Sequence, residues 1–301
     1  MMEEYIDIRL KIKQFIVILS RIFASFMLIY ILWLLCRVFL FDQFVIPTES
    51  MSPTLLPGDR VIVDKTIVGA RLYSDFDFDP KGGELRSWRV RGMRQMKHND
   101  IVVFNFPHHE GRINFIINNV YAKRCVALPG DTISIEEGYY RNNNHKGVLG
   151  LENAQNALHE MTDSMIWRQA LYAMPFDGHL PWTIRNMGPL YIPRKGDIIP
   201  ITAKEACVYR MLLEWETGKK VDFDWISNTA KIDGKEFTSH TFSHNYYFMA
   251  GDNVCDSNDS RYWGLVPEEY IVGVVRWASY SLNKSDGELN KDRVFLSLMD
   301  N

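Results

Sequence analysis

Between residues 22 and 41 the chain is apolar at nearly every position, with Arg37 the exception. Twenty helical residues rise about 30 Å, the thickness of a bilayer's hydrocarbon, so this run predicts a membrane-spanning helix. Beyond it the pattern changes to short runs rich in β-branched and aromatic residues, at 44–46, 61–63, 101–106, 120–128 and 133–135, separated by Pro-Gly, Gly-Asp or Asn-Asp pairs. Such runs and punctuation predict strands joined by tight turns. Two further runs, 246–250 and 270–280, repeat the pattern near the C-terminal end.

The stretch between them differs. Residues 151–174 place apolar side chains at helical spacing up to Pro175, and 202–216 predicts a second helix with Thr202 and Glu205 in capping-box positions and Gly218 as its stop. Asn142-Asn143-Asn144 predicts a loop, and Asp233-Gly234 a hairpin turn. The expected organisation is mainly β: an N-terminal segment 1–21, a transmembrane helix 22–41, an antiparallel β core from 42–136 and 246–301, and an inserted α+β subdomain 137–245.

Charge orients the span. Arg9, Lys11, Lys13 and Arg21 precede it and only Arg37 lies near its far end, which places the N-terminus in the cytoplasm and the bulk of the chain outside. Leu35-Cys36-Arg37-Val38-Phe39-Leu40 offers no small-x-small site for removal of the span, and Leu35 is too bulky to precede a lipoprotein cysteine.

With 301 residues, 47% of them hydrophobic, the chain can bury a large core, and a net charge of −3 gives no basic footprint for nucleic acid. Four scattered cysteines make no disulfide framework, and Cys125 and Cys255 are expected to be free. His108-His109-Glu110 lacks a spaced partner cluster, and His240 and His244 carry no helix signal, so neither a metal nor a cofactor is expected.

The candidate chemistry is a serine and a lysine. Serine is a weak nucleophile until a base removes its proton, and lysine can be that base where burial disfavours its charged form. Ser50 lies in Pro47-Thr48-Glu49-Ser50-Met51-Ser52-Pro53, just past the apolar span, and Lys123 in Lys123-Arg124-Cys125-Val126-Ala127-Leu128-Pro129-Gly130-Asp131. A third block runs from Gly251-Asp252-Asn253 to Asp256-Ser257-Asn258-Asp259-Ser260-Arg261-Tyr262-Trp263-Gly264.

These three blocks, in this order, resemble the type I bacterial signal peptidases of the S26 family. The resemblance covers the span and both flanking β portions and is weak from 137 to 245. It implies a signal-peptidase-like β core, an inner-membrane location with the catalytic domain outside, and removal of signal peptides after a small-x-small site. Ser50 would be the nucleophile, Lys123 the general base, Thr48 with the Ser50 N–H the oxyanion donors, and Ser257 the group that orients the lysine. Asp252 with Arg124, and Asp259 with Arg261, would be supporting ion pairs. Phe44, Ile46, Pro47, Met51, Leu55, Tyr121 and Ala122 would line the substrate site, and the partners would be preprotein signal peptides, the lipid bilayer and the secretion translocon.

Three positions depart from the family pattern: Glu49 for a frequent glycine, Val254-Cys255 for a polar pair, and Ala122 for a bulky aliphatic, which would enlarge the pockets. The rival readings are a self-cleaving Ser/Lys repressor-type protease and a catalytically silent, membrane-anchored binding or assembly protein. The first would require a cleavage site and a helix-turn-helix upstream of Ser50, where this chain has an apolar span. The second would be signalled by loss of Ser50 or Lys123, and both are present.

Overall fold

The computed structural model describes residues 2–76, 78–283 and 286–298. Its first element, α1, is Met2–Phe39, a helix of 38 residues. It therefore begins far upstream of the expected residue 22 and stops short of residue 41. The long side chains of Arg9, Lys11 and Lys13 have good helix propensity, so nothing breaks the helix before the apolar run. At 1.5 Å per residue α1 is about 57 Å long, which leaves its basic end beyond a hydrocarbon layer of about 30 Å. The stretch Arg9–Phe39 is long and apolar enough to cross a membrane, and its most apolar window is buried by none of the described residues. Phe23, Phe26 and Ile29 are 67, 68 and 63% exposed, an apolar surface that fits a single membrane span.

A single residue, Leu40, separates α1 from β1 (Phe41–Val45). The principal sheet continues with β2 (Asp59–Asp64), β3 (Ile101–Asn105), β4 (Val120–Ala127), β5 (Tyr246–Ala250), β6 (Val266–Pro267), β7 (Ile271–Ser281) and β8 (Leu296–Ser297). Its order is β1-β2-β7-β3-β4-β5-β6, with β8 alongside β7, and its pairings are antiparallel. Register shifts in β7 and between β5 and β4 mark bulges, which bend and twist the strands. Both of its faces are buried. One cluster gathers Ile46, Met51, Leu55, Val61, Val103 and Val275, and a larger one gathers Phe104, Val126, Ile133, Leu212 and Tyr246.

The larger cluster crosses the expected domain border, since Ile133 and Leu212 pack in it with strands of the principal sheet. Thr132–Glu136 also pairs with Tyr139–Asn142 and Met187–Tyr191 rather than with the principal sheet, so the inserted portion begins by residue 132 and not at 137. The helix expected over 151–174 is two pieces, α2 (Glu152–Glu160) and α3 (Arg168–Leu171). Met161 is extended and Thr162 and Ser164 bond to each other at 2.8 Å, so the local side-chain turn over Thr162-Asp163-Ser164 outcompetes the helix. The next helix, α4 (Ala203–Thr217), has the expected capping box at Thr202 and Glu205 and ends at Gly218 with φ 67°. Asp233 and Gly234 turn with φ of 51° and 74° between the paired residues Ile232 and Lys235, the geometry of a tight hairpin.

Candidate active site

Ser50 lies in the loop that leaves β1 and returns as β2. The loop is closed at its base, where the Ile46 N–H donates to Asp59 O and the Gly58 N–H to Ile46 O, each at 2.8 Å. Met51 and Leu55, 1% and 0% exposed, pin its inner side to the smaller core. The fully buried Asp59 carboxylate receives Arg293 Nε at 2.8 Å and the Leu56 N–H at 2.8 Å, while Arg293 Nη2 also donates to Thr54 O at 2.8 Å. Arg293 thus ties the C-terminal end of the chain to the serine loop. No sequence signal marked it, because its partner Asp59 is distant in the chain.

Lys123 occupies β4 opposite Val102 of β3 and is 4% exposed. Its Nζ donates a hydrogen bond to Ser50 Oγ. Burial pushes the Lys123 amine down from 10.5 to about 8, against the opposing pull of the Asp259 charge. Thr48 Oγ1 lies 3.4 Å from Ser50 Oγ, and Pro47, Thr48 and Glu49 are open to solvent. The Ser50 N–H has no acceptor among the described residues, so it remains available to a ligand.

The third block straps this loop from the other side. The Asn253 N–H donates to Ser50 O at 3.2 Å and Asn253 Nδ2 to Glu49 O at 3.3 Å. Gly251 is wedged there so tightly that a Cβ would stand 2.4 Å from Ser50 O and 2.0 Å from Ser257 Oγ, so only glycine fits. Ser257 is buried beside it, but among the described residues its hydroxyl has no hydrogen-bond partner, so the expected bond to Lys123 is not formed. Gly251 brings the serine into the neighbourhood of the dyad without closing that bond.

Both expected ion pairs form, and both are buried. Arg124 donates to Asp252 through Nε and Nη2, each at 2.7 Å, and through Nη1 to Asn99 O at 3.0 Å. Arg261 donates to Asp259 through Nε and Nη2, each at 2.8 Å, and Asp259 also caps the helix α5 (Ser260–Trp263) and accepts the Gly251 N–H at 2.9 Å. Burial alone would raise the Asp259 carboxyl, but the Arg261 charge and these donors hold it below its ordinary value.

The proposed substrate-lining residues divide. Phe44 and Ala122 pack half-buried against the cluster of Ile46, Met51 and Leu55. Tyr121 instead joins the larger cluster, its ring 4.6 Å from that of Phe106 and 6.4 Å from that of Phe104. Successive side chains of a strand point to opposite faces, so Tyr121 and Ala122 cannot share a pocket wall. The four cysteines are free, and Cys255 Sγ lies 3.9 Å from Met161 Sδ rather than near Cys125. His108 is buried with Nε2 2.9 Å from Leu265 O, and burial pushes it down to about 4, so it is a neutral core side chain. His240 and His244 engage separate carboxylates, Glu216 at 2.7 Å and Glu269 at 2.8 Å.

Residues 19–280 match the family described as signal peptidase, peptidase S26. The chain belongs to this family. It is 32% identical over 279 residues to the signal peptidase I of Rickettsia bellii, a match covering 91% of this chain and 78% of that protein. The signal peptidases I of Buchnera aphidicola subsp. Baizongia pistaciae and Pseudomonas aeruginosa are each 30% identical, over 88% and 90% of this chain and 78% and 76% of theirs. For an S26 peptidase, a buried amine against a serine hydroxyl is an arrangement able to cut an amide bond without histidine or metal.

Proposed function

We propose that Ser50 is the nucleophile and Lys123 the general base of this enzyme. As a member of the signal peptidase family the chain is a membrane-anchored serine peptidase that removes signal peptides from preproteins. The observation that carries the assignment is the buried Lys123 amine bonded to Ser50 Oγ, with its pKa pushed down to about 8.

Neutral Lys123 takes the Ser50 proton as Oγ attacks the scissile carbonyl carbon. The tetrahedral oxyanion falls to the free Ser50 N–H and the Thr48 hydroxyl. Lys123, now protonated, gives its proton to the leaving amine as the peptide bond breaks. A water then enters and attacks the acyl carbon while losing a proton to Lys123, which returns that proton to Ser50 Oγ as the acyl–oxygen bond breaks and the acid leaves. Metal chemistry is not needed for any of these steps.

The open segment 47–49 offers backbone to an extended substrate, and the half-buried Phe44 and Ala122, backed by the buried Ile46, Met51 and Leu55, give an apolar surface that suits small side chains on either side of the bond. The basic flank of α1 supports a topology with the N-terminus in the cytoplasm and the dyad on the outer side, the side on which exported preproteins would be cut. Holding enzyme and substrate in one bilayer raises their effective concentration. The test is cleavage of a preprotein in detergent by the wild type, Ser50→Ala and Lys123→Met. Cleavage by the wild type alone supports the dyad, and turnover persisting in either variant overturns it.

A further inference from the structure

Beside the end of α1 lies a cleft of about 660 Å³ that shares no lining residue with the dyad. Four guanidinium groups, Arg89, Arg91, Arg94 and Arg194, line it against one carboxylate, Glu268. Arg94 and Arg194 are neutralised by Asp100 at 2.7 Å and Asp197 at 3.1 Å. Arg89 has no carboxylate within ion-pair distance among the described residues, and it donates instead to the carbonyls of Gly69, Glu268 and Ile271. Those bonds use three of a guanidinium's five donors. Burial and the nearby Arg71 lower Arg89 to about 10, so it stays charged at neutral pH. Arg91 is exposed and has no partner among the described residues. Among the described residues the cleft therefore holds two guanidiniums, Arg89 and Arg91, in no close ion pair, against one lining carboxylate, Glu268, whose charge together with that of Glu269 acts on Arg89.

Position narrows the ligand. The Lys65 N–H donates to Leu40 O, the residue after α1, at 2.8 Å, and the Met93 and Arg94 N–H groups donate to Thr66 O and Ile67 O at 2.9 and 3.1 Å. Val68 then lines the cleft. Four residues, spanning at most about 14 Å, thus join the end of the membrane helix to the arginine cleft. Met93, 81% exposed on the rim, adds an apolar group beside Arg91. Guanidiniums match the oxygens of a phosphate, and phospholipid headgroups lie at the level where a spanning helix leaves the hydrocarbon.

We propose that this cleft binds the phosphodiester headgroup of an anionic glycerophospholipid, with Arg89 and Arg91 on the phosphate and Met93 toward the glycerol. The inference rests on α1 being the membrane anchor. The full chain in a neutral detergent is titrated calorimetrically with dihexanoylphosphatidylglycerol, dihexanoylphosphatidylcholine and inorganic phosphate, for the wild type and Arg91→Glu. Binding of the phosphatidylglycerol at least tenfold tighter than either other probe, and weakened at least tenfold by Arg91→Glu, is the expected result. Equal binding of inorganic phosphate would make this a free-anion site, and equal binding of phosphatidylcholine, no binding, or indifference to Arg91→Glu would equally overturn the lipid site. Arg91→Glu is expected to cleave a soluble peptide like the wild type, which separates failure of this site from failure of the dyad. Alkaline extraction of the wild type from membranes would instead show that the anchor reading had failed.

Discussion

Lys123 reaches Ser50 Oγ from a strand position that leaves the lysine 4% exposed, so the proposed base is also a charge buried at a cost. With the amine lowered to about 8, roughly a tenth of it is neutral at pH 7 and most of it at pH 9. Cleavage of a soluble peptide is therefore expected to rise about tenfold from pH 7 to pH 9 along a single ionisation. A rate independent of pH across that range would remove Lys123 as the base.

The same burial predicts a trade between activity and stability. Below pH 8 the folded state holds the charged amine in a dry site. Between about 8 and 10.5 the unfolded chain binds the proton and the folded chain does not, so stability rises with pH across that window. Lys123→Met, which keeps the volume and removes the charge, is expected to be inactive yet more stable by about 1–3 kcal/mol at pH 7. Denaturant titration in one detergent checks it, and an unstable Lys123→Met would show that the burial cost is offset elsewhere.

Thr48 Oγ1 lies 3.4 Å from Ser50 Oγ and is the proposed second donor to the oxyanion. Thr48→Val keeps the shape and loses the donor, and is expected to lower kcat by about 10²–10³ with little change in KM, while Thr48→Ser keeps most of the rate. An equal loss in Thr48→Ser would point to packing instead.

Arg124 and Asp252, 2% and 1% exposed, behave as a unit. Asp252→Ala strands a buried guanidinium and is expected to cost about 3–5 kcal/mol, whereas Arg124→Met with Asp252→Leu costs far less than the sum of the single changes. Unfolding free energies over the double-mutant cycle measure this, and additive losses would count against a coupled pair.

The anchor is wired to the sheet as firmly as the dyad. Lys65 Nζ donates to Arg37 O at 2.7 Å and to Asp42 at 3.1 Å, and Arg37 Nη2 meets the same carboxylate at 2.6 Å. These groups cap the C-terminal end of α1 and leave a single residue between helix and strand. Asp42→Ala is expected to slow cleavage of a membrane-embedded preprotein several-fold while sparing a soluble peptide. Parallel losses on both substrates would mean that Asp42 merely supports the fold.

Much of this protein was legible in its residues alone. The apolar span, the strand runs with their Gly, Pro and Asn breaks, the capping box of α4 and the 233–234 turn are local patterns, and local patterns are read from neighbours in the chain. The three motif blocks likewise singled out Ser50 and Lys123, which the fold brings into contact, and both ion pairs, which it buries. The extent of α1 was missed because basic residues continue a helix as readily as they flank one. The break at Thr162-Asp163-Ser164 was missed because periodicity cannot weigh a competing local turn.

What tertiary structure alone decided is which distant groups meet. Pairing β4 with β3 and β5 sets Lys123 against Ser50, sends Tyr121 to the opposite face from Ala122, and leaves Ser257 Oγ without the partner expected of it. Arg293 on Asp59 and Lys65 on Asp42 are contacts of the same kind. Residue types and spacing determined what chemistry the chain could carry. Burial and register, which belong to the folded sheet and not to any stretch of sequence, determined which amine is dry enough to perform it.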